Sequence, residues 1–136
     1  MPAYANTEEL HQVMVELWNR IKADKSMSEE LLRSGLIVRF HYRDPKGTMT
    51  IDSSDGQEMK IYAGDHDAKP IVEMSMTAEV AHDFWLGQVS VPMAILTGKM
   101  VAKGPVNKAL ALLPTIKPAF KIYPEVYKAK GRKVPV

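Results

Sequence analysis

Gly35-Leu36-Ile37-Val38-Arg39-Phe40-His41-Tyr42-Arg43-Asp44-Pro45-Lys46-Gly47-Thr48-Met49-Thr50-Ile51 is the stretch on which the fold turns. Leu36, Val38, Phe40 and Tyr42 alternate with Ile37, Arg39 and His41. Successive strand side chains point to opposite faces, so this period of two predicts a strand with one face buried. Asp44-Pro45-Lys46-Gly47 concentrates turn-forming residues, and Met49 and Ile51 resume the alternation in a second strand.

The same period continues downstream. Asp55-Gly56 marks a tight turn. Met59, Ile61 and Ala63 then alternate with Lys60 and Tyr62 in a third strand, and Val72, Met74 and Met76 set out a fourth beyond the loop that starts at Gly64-Asp65-His66-Asp67. Consecutive strands joined by short turns are expected to pair antiparallel, with one face covered.

Upstream the period is helical. Leu10, Val13, Met14, Leu17, Trp18 and Ile21 form one apolar stripe, and Asn6 with Glu9 three residues on resembles a capping box. Asp24-Lys25-Ser26 reads as a stop. A short second helix is expected with Ser28 as N-cap, Glu29 and Glu30 near its positive end, and Gly35 as terminator. Downstream, Thr77 caps a helix carrying Val80, Ala81, Phe84 and Trp85, which ends at Gly87. Ser90 caps a short segment, Val91-Pro92-Met93-Ala94-Ile95-Leu96-Thr97, that is apolar nearly all round. A fifth strand is expected at Met100-Val101-Ala102-Lys103, then a helix with Val106, Ala109, Leu110 and Leu113. Ile116, Phe120, Tyr123 and Tyr127 follow as apolar anchors among Pro114, Pro118 and Pro124, which should prevent one long helix. The predicted class is α+β: about five strands, mainly antiparallel, with helices packed on one face.

The 136 residues suit one domain over 1–136 with a core large enough to fold without disulfides. There is no cysteine, which excludes a disulfide framework, a thiolate metal site and a cysteine nucleophile. No apolar run is long enough to span a bilayer. Met1-Pro2-Ala3-Tyr4 lacks the basic start and apolar stretch of a signal peptide, so a cytoplasmic location is expected. A net charge of +2 is too small to argue for nucleic acid. The charge is unevenly placed, however. From Lys117 onward the basic residues are Lys117, Lys121, Lys128, Lys130, Arg132 and Lys133, against the single acid Glu125. Such a segment suits transient contact with an anionic membrane, or simply solvation. Segment 114–133 is accordingly expected to be a jointed, mobile lid that docks on anionic lipid.

Chemistry-bearing motifs are sparse. No G-x-S-x-G elbow, Walker loop or dinucleotide glycine fingerprint occurs, and His11, His41, His66 and His82 include no pair at a helical metal-binding spacing. Asp65-His66-Asp67 is the one local cluster of ligand-type residues, and it falls in a loop. No catalytic residue, metal site or cofactor is expected. Arg39 and Arg43 share a strand face, where solvated charge is the default. The conspicuous feature is soft and apolar. Met49, Met59, Met74, Met76, Met93 and Met100 fall in or beside predicted strands and the apolar helix. Methionine adapts its shape, so these residues suit either a pocket for varied greasy ligands or ordinary core filling.

From Val72 onward the chain resembles the sterol carrier protein type-two family, the non-specific lipid-transfer domains, and in particular their stand-alone bacterial-type members. The resemblance is carried by Met74-Ser75-Met76-Thr77-Ala78-Glu79, Phe84-Trp85-Leu86-Gly87, Ala94-Ile95-Leu96-Thr97-Gly98-Lys99-Met100, Lys103-Gly104 and Leu110-Ala111-Leu112-Leu113-Pro114, in that order. Gly35-Leu36 entering the sheet and the Asp55-Gly56 hairpin extend it over nearly the whole chain. It implies an apolar tunnel between sheet and helices that binds fatty acyl, sterol or isoprenoid lipid and catalyses nothing. The ending Lys133-Val134-Pro135-Val136 is not a peroxisomal address, so a peroxisomal role is not carried over.

The expected ligand-binding residues are Met74, Met76, Phe84, Trp85, Met93, Leu96, Leu110, Leu113 and Phe120. Trp85 and residues 94–98 come from the family pattern, the others from periodicity. The expected partners are a hydrophobic small molecule and, transiently, an anionic membrane, and a homodimer is compatible with the same reading. The other function class that fits is an accessory or interaction domain of a lipid-related enzyme complex, with no transport of its own.

Overall fold

The computed structural model describes residues 2–131, with the backbone alone at 130 and 131. The chain opens with two helices, α1 (Thr7–Ala23) and α2 (Lys25–Ser34). Asn6 caps α1, its side-chain oxygen accepting from the Glu9 N–H at 2.8 Å. The Glu9 carboxylate reaches back to the Ala5 N–H at 3.2 Å, one residue before the partner of an ideal capping box. All six stripe residues of α1 are buried.

Ser28 does not cap α2, which corrects the expectation. Asp24 closes α1 and caps α2, with its carboxylate accepting from the Met27 N–H at 3.1 Å and from the Ser26 hydroxyl at 2.6 Å. A carboxylate at a helix N-terminus gains from the dipole as well as the hydrogen bond, so it prevails over a serine four residues later. Those hydrogen bonds hold the Asp24 carboxyl below its ordinary range.

Five strands follow the helices: β1 (Ile37–Arg43), β2 (Gly47–Asp52), β3 (Lys60–Ala63), β4 (Val72–Thr77) and β5 (Val101–Lys103). Their order in the sheet is β3-β2-β1-β4-β5. The β1–β2 and β2–β3 pairs are antiparallel, as expected, and β4 pairs antiparallel with β5. The β4 pairing is different. Instead of forming a hairpin with β3, it lies parallel to β1, so the sheet is mixed. Residues 64–71 carry the chain across the sheet to reach that position.

The crossing is held on the face away from the helices. Arg39 and Thr50 are register partners there, and Thr50 is fully buried. The Arg39 guanidinium donates to Thr50 Oγ1 at 2.9 Å, to the His66 carbonyl at 3.0 Å and to the Ala68 carbonyl at 2.6 Å. His66 stacks on Tyr62 with ring centroids 3.6 Å apart. Arg39, which the alternation assigns to a solvated surface, thus fastens the crossover by satisfying two loop carbonyls.

The rest of the chain is helical apart from β5: α3 (Ala78–Trp85), α4 (Val91–Leu96), α5 (Val106–Leu110), α6 (Leu113–Ile116) and α7 (Ala119–Gly131). Thr77 and Ser90 cap α3 and α4 as expected. Pro114 and Pro118 divide α5, α6 and α7 into short pieces, but α7 continues through Pro124. The expectation that Pro124 stops the helix is therefore corrected. Tyr123 and Val126 on either side are fully buried, and that packing holds α7 in helical form despite the lost backbone bond. Lys130's side chain, Arg132, Lys133 and the ending Val134-Pro135-Val136 lie outside the described residues.

Gly104, just past β5, comes close to the chain that enters β4. Its φ is +96°, and a Cβ built on it would lie 2.1 Å from the Ile71 carbonyl oxygen, just before β4. Both the left-handed backbone and the close approach exclude a side chain. Gly104→Ala is expected to lower unfolding stability by about 2 kcal/mol or more, read as a lower urea midpoint at unchanged slope. An unchanged midpoint would show that this close approach is not a constraint.

Candidate functional site

The face of the sheet toward the helices is built from alternate residues of adjacent strands. Phe40 pairs with Met74 and Tyr42 with Met76 across the parallel β1–β4 ladder, while Val38 pairs with Ile51 of β2. These six side chains form the floor of a cavity. Trp18 of α1 and Leu31 of α2 close one side. Phe84 and Trp85 of α3 form the roof, and Leu110, Leu113 and Ile116 of α5 and α6 close the far end. Among the described residues no charged side chain lines it. The polar residues among those lining it are Ser34, Ser53, Tyr42 and Trp18.

The centre of a water-sized sphere can reach about 90 Å³ inside these walls. That is room for several waters at roughly 10–15 Å³ each, and less than a long acyl chain needs. A chain-like ligand must therefore part the walls. Met74, Met76 and Met100 provide the give, since an unbranched thioether changes rotamer readily. The aromatic wall is stiffer. Trp18 meets Trp85 edge-on at 5.6 Å, Phe84 meets Trp85 at 4.8 Å, and Phe40 stacks with Tyr42 at 6.3 Å.

Of the residues expected from sequence, Met74, Met76, Phe84, Trp85, Leu110 and Leu113 all lie on this wall. Met93 and Leu96 lie on the outer side of α4, 55% and 78% exposed. A helix apolar all round offers no pattern by which sequence could choose its inner face; here Val91 and Ala94 are buried instead. Phe120 packs behind the roof, edge-on to Phe84 at 5.5 Å. Trp18, Val38, Phe40 and Tyr42 were not among the expected residues, although the alternation and the α1 stripe had marked them as inward-facing. Packing of α1 sets Trp18 against Phe40, and the β1–β4 pairing sets Phe40 and Tyr42 beside Met74 and Met76.

A second cluster, polar and aromatic, ties the chain ends to α3. Tyr4 and Tyr123 share a buried hydroxyl–hydroxyl hydrogen bond, and His82 Nδ1 lies 2.6 Å from the Tyr123 hydroxyl. The Glu79 carboxylate takes the Ala3 N–H, and the Tyr127 hydroxyl donates to the Ala3 carbonyl at 2.5 Å. Burial pushes the Tyr4 and Tyr123 phenols far above their ordinary range, so both stay neutral. Of the anchors of the expected lid, Ile116 and Tyr123 are buried and Phe120 and Tyr127 half-buried, and α7 lies against α1.

Asp65-His66-Asp67 does not gather into a ligand set. His66 Nδ1 accepts the Ala68 N–H at 3.1 Å, and both aspartates are exposed. Among the described residues no three His, Asp or Glu side chains converge.

Burial lowers the pKa of both His82 and His11 below the ordinary 6.5. His11 Nε2 must stay unprotonated to accept the Thr48 N–H at 3.1 Å. Below about pH 6.5 the unfolded chain binds protons at these sites more readily than the native one, so stability falls as pH falls. Urea unfolding between pH 7 and 5 should show this slope, and His82→Asn, which keeps an acceptor for Tyr123, should flatten it. An equal slope in the variant would remove His82 from the account.

The sequence from residue 17, within α1, to residue 117, just past α6, matches the SCP-2 sterol transfer family. No curated relative matches. Sterol carrier protein domain 2 of Helicoverpa armigera superposes with a TM-score of 0.67 at 21% identity, over 87% of this chain and 94% of that one. Sterol carrier protein 2 from Yarrowia lipolytica in its apo form gives 0.63 at 18%, over 80% and 88%. UbiJ-SCP2, a ubiquinone synthesis protein, gives 0.59 at 12%, over 76% and 85%. At such identities these likenesses speak for the fold, while the sequence match spans both walls of the cavity. The chain belongs to the SCP-2 sterol transfer family, whose domains bind lipid.

Proposed function

We propose that this protein binds and carries a hydrophobic ligand of the fatty acyl, sterol or isoprenoid type in the cavity between sheet and helices, without acting on it chemically. The observation that carries this reading is the wall itself. Phe40, Met74, Met76, Trp85 and Leu110 enclose a space with no charged side chain among the described residues. Such a wall holds a ligand by shape and area. At roughly 25 cal/mol per Å², burying ~300 Å² of apolar ligand surface gains about 7 kcal/mol before ordering costs. That suffices for retention without fixed polar recognition, which fits a carrier of loose selectivity.

Contact with anionic membranes belongs to the same proposal in a reduced form. Lys117, Lys121 and Lys128 are exposed while the neighbouring anchors Ile116, Phe120 and Tyr127 are buried or half-buried. Docking through this segment would therefore be electrostatic, each lysine adding about 1 kcal/mol near an anionic surface. A second reading, an accessory domain that packs on a partner, is favoured by a different observation. Met93, Leu96, Val101 and Ile71 are large apolar side chains left on the surface, and the first two sit together on α4.

The carrier reading is tested by native mass spectrometry and lipid extraction of purified protein, and by displacement of a fluorescent acyl probe. Wild-type protein is expected to hold extractable lipid. Leu110→Trp, which fills the cavity from α5, is expected to weaken the probe about tenfold or more. Protein that carries no lipid and binds the probe equally well with Leu110→Trp would sink the cavity as the binding site. Vesicle co-sedimentation that survives high salt, or that ignores lipid charge, would overturn the electrostatic contact.

A further inference from the structure

Trp18 combines three properties. It lines the cavity, it is 4% exposed, and its Nε1–H is buried without a hydrogen-bond partner among the described residues. Buried donors in folded proteins are nearly always paired, so this one calls for a reason. Its ring neighbours provide none: Phe40 lies tilted at 5.9 Å and Trp85 edge-on at 5.6 Å, and an aromatic face is a weak acceptor.

The other polar groups on the wall narrow the chemistry. The Ser34 hydroxyl is already committed, donating to the Leu31 carbonyl at 2.6 Å and accepting the Leu36 N–H at 3.2 Å. Burial keeps the Tyr42 phenol neutral. No lysine, arginine or histidine side chain stands on the wall to balance an anion among the described residues. A carboxylate brought to the depth of Trp18 would lose its water and gain only neutral donors, a poor exchange. An uncharged oxygen would complete the donor without that cost.

Resting on the carrier reading above, we propose that the preferred ligand is a neutral lipid bearing an ester, ketone or hydroxyl oxygen, and that this oxygen accepts the hydrogen bond of Trp18 Nε1. The apolar wall sets how much ligand is buried, and Trp18 sets which end goes in and which head group is chosen. Trp18 is thus a specificity residue, distinct from the residues that supply area.

The test uses the full chain and four probes built on the same dodecyl or dodecanoyl chain: dodecane, dodecanol, methyl dodecanoate and dodecanoate, each displacing a fluorescent acyl probe at pH 8. Methyl dodecanoate and dodecanol are expected to bind about tenfold tighter than dodecane, and dodecanoate more weakly than its methyl ester. In Trp18→Phe the advantage of the ester and alcohol over dodecane, all measured on that variant, should vanish. Independently of that variant's folding, the Trp18 indole N–H proton in ¹⁵N-labelled wild-type protein should move downfield with methyl dodecanoate and not with dodecane. Tightest binding by dodecanoate, equal binding of ester and alkane, an ester advantage that survives Trp18→Phe, or an unmoved indole resonance would each overturn the proposal while leaving the carrier reading intact. If none of the four binds, the carrier reading falls and takes this one with it.

Discussion

The parallel pairing of β1 with β4 is the constraint on which the rest of the structure depends. Both strands alternate apolar and polar residues, and the register sets Val38, Phe40 and Tyr42 beside Val72, Met74 and Met76. Side chains in a strand repeat every two residues, so a slip of one position would turn Arg39 and His41 inward. The floor of the cavity exists because the two patterns are in phase. The pairing itself requires residues 64–71 to cross the sheet without a helix, and the bonds from Arg39 to the His66 and Ala68 carbonyls fasten that crossing. An arginine on the far face of the sheet thereby supports an apolar surface on the near one.

Stiff and yielding side chains share the cavity wall, which bears on how a ligand enters. Flat rings of Trp18, Trp85, Phe84 and Phe40 brace one another at edge and face contacts. Met74 and Met76, beside Phe40 and Tyr42 on the floor, and Met100 are unbranched and change rotamer more readily. Beyond the far end, α5 and α6 are single short turns of helix separated by bends. Short helices contribute few backbone bonds of their own and depend on packing, so this end has the lower local stability. The tyrosine–histidine cluster around Tyr4, Tyr123 and His82 holds α7 and the N-terminal residues to α3. It leaves the end near Leu110 and Leu113 as the part with least to hold it.

Much of the architecture could be read from local patterns because its causes are local. The period of two in residues 36–42, the helical stripe from Leu10 to Ile21, and the caps at Asn6, Thr77 and Ser90 each involve neighbours a few residues apart. Sterics and hydrogen bonding between such neighbours hardly depend on the rest of the chain. The ordered series of short motifs from Met74 to Pro114 added the family, which the match over residues 17–117 shows. The misreadings were also local in origin. Ser28 looked like a cap because Asp24 had already been used as a stop, and Asp24 serves both purposes. Pro124 looked like a break, but burial of Tyr123 and Val126 outweighs one missing backbone bond.

What the sequence determined by itself was the kind of surface each element presents: apolar alternation on β1 and β4, an apolar stripe on α1, and a soft, methionine-rich, uncharged interior. Tertiary structure decided which of those surfaces meet. It moved β4 from the expected hairpin with β3 to a place beside β1, brought Trp18 from the α1 stripe to the wall facing Trp85, and turned Met93 and Leu96 outward while Val91 and Ala94 turned in. Strand partners and helix faces are chosen by contacts between residues far apart in the chain, and no period within a single segment encodes its partner. The unpaired indole of Trp18 is likewise a property of the assembled cavity, since a donor can be called unpartnered only once everything around it is in place.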